Sequence, residues 1–140
     1  MDGYELDSSP FFTNNTGEVS HYRGISLKYS RRPVIARRYC ITCQKDPQQL
    51  ELNRVLGIGT VHVRMDHPNV CKVLELKVDC RNYPNEVYVF HMLEGLDVDL
   101  GMEIEEREKA ARPFSEAELR SILAQIASAL AFAHSKVKDK

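Results

Sequence analysis

Apolar residues recur along this chain in two rhythms. From Val19 to Leu93 most apolar runs alternate with polar neighbours or form short unbroken stretches, as in strands. Val19, Tyr22, Ile25 and Leu27 form one run and Val34 to Ile41 the next, joined by the basic turn Lys28 to Pro33. Val70, Leu74, Leu76 and Val78 form a third. Val87 to Leu93 is apolar at nearly every position, as in a strand buried on both faces. One helical stretch interrupts them. Asp46-Pro47 opens it, and Gly57 and Gly59 are expected to interrupt it, each costing about 1 kcal/mol relative to Ala in a helix interior. The proline of His67-Pro68 closes the region, because the residue before proline avoids the helical conformation.

Beyond Glu94-Gly95 the period becomes helical. Residues 102–112 carry Glu–Lys and Glu–Arg pairs at helical spacing, a solvated face. The strongest signal in the chain follows. Leu119, Ile122, Leu123, Ile126, Leu130 and Ala133 share one helical face. Ser115 and Glu118 make a capping box, with Phe114 and Leu119 at staple positions. A helix of about twenty residues spans roughly 30 Å, so its apolar face needs a burial partner. Residues 1–16 are polar apart from Phe11-Phe12 and read as a flexible leader, with at most a short strand at its end.

Composition narrows the class without deciding it. With 140 residues, the chain suits one domain and one core. A net charge of −1 gives no general attraction to nucleic acid or membrane, and no apolar run reaches the length of a span. The acidic N-terminus is unlike a signal peptide, so the expected location is cytoplasm, with the nucleus as alternative. Cys40-Ile-Thr-Cys43 is a C-x-x-C pair, but Cys71 and Cys80 supply no second tight pair. Buried small hydrophobes are the better reading of these cysteines, and a zinc module the lesser one.

The order of elements, with His67-Pro-Asn-Val70, Phe90-His-Met-Leu-Glu-Gly95 and the stretch from Arg112 to Ser135, resembles a eukaryotic protein kinase of Ser/Thr type. The resemblance covers residues 17–136. It implies an α+β fold: a small lobe of antiparallel sheet plus one αC-like helix over 17–93, then αD and αE helices of a partial large lobe over 94–140. It also implies an ATP site. Val34-Ile-Ala-Arg-Arg38 resembles the lysine-bearing strand, with Arg38 in the lysine position, or Arg37 if the frame slips by one. Gly17 and Val19 match the end of the glycine-rich loop. Val19 and Ala36 would enclose the base, Phe90 would stand behind it, and His91 and Leu93 would offer main-chain groups to its edge. Asp97 and Asp99 fall near the family's ribose edge, where a helix-starting acid is the simpler reading.

Departures from the pattern weaken the implied chemistry. Asn14 stands where the loop's second glycine belongs. Ile58 stands where the αC glutamate is expected, and Glu51 is too early. The H-R-D and D-F-G motifs would follow αE, and the sequence given reaches only Lys140. The resemblance therefore implies an ATP-binding region with weakened ATP binding, no catalytic residues, and no hold on Mg by this chain alone. The alternative is a non-catalytic, pseudokinase-like interaction module with a protein partner on the exposed αE face.

Overall fold

The computed structural model describes residues 2–28, 30–42, 47–96 and 99–138, without the side chains of 47–50 and 137–138. The chain forms two compact units, 1–64 with 72–95, and 65–71 with 96–140. The class is α+β: among the described residues, an antiparallel sheet unit and three helices.

Six strands make the sheet: β1 (Tyr4–Leu6), β2 (Phe12–Thr13), β3 (Val19–Ser26), β4 (Pro33–Thr42), β5 (Val73–Asp79) and β6 (Glu86–Glu94). Their order is β1-β3-β4-β6-β5, with β2 also on β3, and every pair is antiparallel. Helix α1 (Pro47–Val63) connects β4 to β5. The segment expected as a flexible leader belongs to the sheet instead. Tyr4 is 3% exposed, and its hydroxyl donates to Glu75, 71 residues away, at 2.9 Å. Its ring lies among Lys28 and Lys77, so one aromatic anchor among polar neighbours secures the strand.

Strand alternation gives the sheet two faces. Tyr4, Val34, Ala36, Phe90 and Met92 fill one, with Leu6, Tyr22, Leu74 and Tyr88 around them. Ile41 and Val89 on the other pack with Val55 of α1, flanked by Tyr39, Leu52 and Leu56. The helix is not interrupted at its glycines. A Cβ on Gly59 would stand 2.7 Å from Leu76 and 2.8 Å from His91, so the missing side chain lets α1 approach the sheet. Tertiary packing outweighs the local propensity cost there.

In the second unit, α2 (Leu100–Lys109) starts at Asp99, whose carboxylate accepts from the Met102 N–H at 2.8 Å. The helix-starting reading of Asp99 holds; Asp97 lies outside the described residues. Helix α3 (Glu116–Lys138) opens on the expected capping box. The Glu118 N–H donates to Ser115 Oγ at 3.1 Å, and the Ser115 N–H to the Glu118 carboxylate at 2.8 Å. Arg107 ties the two helices together, bonding Glu103 at 2.6 Å and Glu118 at 2.8 Å with its guanidinium 4.0 Å from the Phe114 ring centre. Those bonds hold the Glu118 carboxyl down to about 2, Arg107 acting first and the Ser115 main chain and hydroxyl next. The His67 ring docks on α3, 3.2 Å from Ser128 Oγ and 5.1 Å from the Phe132 ring.

Candidate functional site

The residues the resemblance assigns to a nucleotide all lie in the sheet unit, and alternation decides which of them meet. Arg37 and Arg38 are neighbours in β4 and point to opposite faces. Arg38 pairs in register with Phe90, and Ala36 with Met92, on the face away from α1. There the Arg38 guanidinium lies between the rings of Tyr22 and Tyr88, 5.0 Å from each centre. Its Nε is buried with no hydrogen-bond partner among the described residues, so the aromatic sandwich is its main support. Phe90 is 7% exposed and borders a shallow groove with Asp2, Lys77 and Cys80.

Arg37 faces the helix. It pairs in register with His21 on one side and His91 on the other, giving a row across three strands. Its Nε donates to His21 Nε2 at 3.1 Å, which requires that nitrogen to be unprotonated. Burial and then the Arg37 charge lower the His21 pKa accordingly. The rings of Phe11 and Phe12 cover His21, with centroids 6.0 and 5.2 Å away. His91 is completely enclosed, its ring 4.8 Å from that of Tyr39. Burial lowers its pKa most, Arg37 adds to this, and the Val55 main chain opposes it.

Among the described residues Arg37 makes no ion pair. Glu51, the carboxylate expected to be too early, is paired with Arg54 on the helix surface at 2.5 Å. Ile58 is 43% exposed. Among the described residues, therefore, no carboxylate takes the place expected of the αC glutamate.

The loop before β3 is a tight turn that uses its own donors. Gly17 adopts φ 75°, which favours glycine, and its N–H donates to the Asn14 carbonyl at 3.0 Å. The Asn14 side chain accepts from the Val19 N–H at 3.1 Å, and Thr16 Oγ1 from the Glu18 N–H at 3.4 Å. Asn14 thus braces the turn from within.

The 91–95 segment is paired as well. Gly95 N–H donates to the Pro33 carbonyl at 3.0 Å, which sets the phase of the β4–β6 ladder. Hydrogen-bonded pairs alternate along an antiparallel ladder, so Ile35–Leu93 and Arg37–His91 are hydrogen-bonded positions. The His91 carbonyl and the Leu93 N–H, expected to face an adenine, are directed at β4. Glycine at 95 permits this closure, since a Cβ there would stand 2.5 Å from the Pro33 main chain.

The assigned residues are therefore divided. Val19, His91 and Leu93 lie on the α1 face, Ala36, Arg38 and Phe90 on the other, and Gly17 in the turn between β2 and β3. Sequence reading missed the His21–Arg37–His91 row; its signal was three cationic or imidazole residues at matching strand phase, visible only once the register is known. Cys43 lies outside the described residues, Cys40 is half-buried, and burial raises its thiol pKa. Among the described residues, no group of three His, Cys, Asp or Glu is placed to hold a metal. No helix among them is long and apolar enough to cross a membrane.

No protein-family model matches this chain, and no curated protein does.

Proposed function

We propose that residues 17–136 are a protein-kinase-like domain region of Ser/Thr type, the part that in that family receives ATP, and that this chain alone does not transfer phosphate. The observation that carries the reading is the sheet: strand order β1-β3-β4-β6-β5, all antiparallel, with one helix crossing from β4 to β5. The His67-Pro-Asn turn and the capped α3 add to it in the expected sequence order. Within this reading Arg37, on the helix face beside Val19, suits the lysine position better than Arg38. Mass spectrometry of the native polypeptide tests it. Peptides continuing past Lys140 into H-R-D and D-F-G motifs support an active parent kinase; a native C-terminus at Lys140 argues against one.

A specific set of observations favours the second reading, a non-catalytic interaction module. The main chain of residues 91–95 is paired with β4, the loop N–H groups are bonded within the turn, and among the described residues Arg37 makes no ion pair. Titration with Mg·ATP by calorimetry separates the two. Saturable binding in the micromolar range, lost in Arg37→Ala, supports the nucleotide site. Absence of heat up to millimolar Mg·ATP supports the interaction module.

A further inference from the structure

Helix α3 presents an apolar seam with the spacing of a coiled coil. Leu119, Leu123, Ile126 and Leu130 are separated by four, three and four residues, and Ala133 continues the alternation three residues on. They are 47%, 65%, 47% and 52% exposed for the four large residues in turn. The seam borders a groove of about 700 Å³ formed with α2, lined by Leu100, Ile104, Phe114 and Ile122 among others. One turn of helix with its side chains fills roughly 400–600 Å³, so the groove takes about one turn of a docked helix.

We propose that this face is covered by α3 of a second copy of the chain, running antiparallel. Three features single out that occupant. The seam is self-complementary: with Ile126 against Leu130 of the other copy, Leu123 falls against Ala133, so every layer joins an a position to a d position. Ala127 and Ala129 flank the centre, and their small side chains allow close approach of two backbones. The helix is also charged asymmetrically, with Glu116 and Glu118 in its first turn and Lys136 near its end. A parallel pair would align Glu116 with Glu116 and Lys136 with Lys136; the antiparallel pair avoids both alignments and opposes the helix dipoles.

This inference names a partner for the interaction-module reading, and it fails separately from it, since its test uses no nucleotide. Sedimentation velocity of the full chain over a concentration series is expected to show a monomer–dimer equilibrium. Leu123→Glu, at a position too exposed to disturb the monomer, is expected to weaken dimerisation by at least about tenfold with helicity unchanged. For orientation, with the native cysteines exchanged for serine, Ala127→Cys is expected to form a disulfide dimer on oxidation. Leu119→Cys is not, because its copies lie roughly 27 Å apart in the antiparallel register. A monomer at every concentration, with α3 helical by circular dichroism, overturns the proposal and leaves the face to another segment or a different protein. Dimerisation indifferent to Leu123→Glu, or efficient crosslinking through Leu119→Cys, overturns it equally.

Discussion

Met92 in β6 and Leu123 in α3 are both large apolar side chains in regular elements, yet Met92 is 0% exposed and Leu123 is 65% exposed. The sheet unit owes its strands to contacts distant in sequence, such as Tyr4 to Glu75 and Val55 against Ile41 and Val89. Helix α3 owes its form to local chemistry: a capping box, alanines inside, and Glu116 bonded to Arg120 at 2.6 Å. A strong local signal and a buried face are therefore separate properties, and here they belong to different regions.

The contrast can be broken most severely at Met92. Met92→Ala is expected to destabilise the sheet unit by about 2–5 kcal/mol, whereas Leu123→Ala should change unfolding by less than about 0.5 kcal/mol in the monomer. Chemical denaturation at low protein concentration measures both. Equal losses would show that α3 is buried after all.

The two glycines of α1 sharpen the same contrast on a smaller scale. Gly59→Leu forces side chains against Leu76 and His91 and is expected to cost about 1–3 kcal/mol. Gly57 has nothing within 4 Å of an added Cβ, so Gly57→Ala should gain up to about 1 kcal/mol in helix propensity. Thermal melts of the two variants shifting in the same direction would contradict this placement of α1.

A smaller effect follows pH. The buried His91 has its pKa lowered from the ordinary 6.5, and His21 likewise. The unfolded chain then binds more protons than the folded one, so stability is complete above about pH 6.5 and declines as pH falls from there toward the lowered folded values, by at most about 1.4 kcal/mol per pH unit for each histidine. His91→Leu is expected to flatten that slope in denaturation series between pH 7 and 5. An unchanged slope would place the titration elsewhere.

Much of this architecture is legible in the residues. Runs at Val19, Val34 and Val87 became strands, and Ser115 with Glu118 marked the start of α3 because capping is chemistry within four residues. The early segment was obscured because β1 and β2 span only three and two residues, and their pairing with β3 is a tertiary event. The glycines of α1 read as an interruption because the close approach of Gly59 to the sheet is invisible until the sheet exists. The site suffered most. Arg37 and Arg38 differ only in strand phase, and a single step of register exchanges a place beside His21 for one between two tyrosines. Main-chain pairing of His91 and Leu93 likewise depends on how far β4 and β6 zip together, which Gly95 permits without announcing.

The account turns on the main chain of His91 and Leu93 being paired with β4 rather than open to a ligand. Amide hydrogen exchange read at Leu93 by NMR, with and without Mg·ATP, tests it most directly. The account predicts slow exchange at Leu93 in the free protein, comparable with Val89 in the same strand, and no change on adding nucleotide. Fast exchange at Leu93 in the free protein that Mg·ATP slows would contradict it, and would restore His91 and Leu93 as an adenine-binding edge.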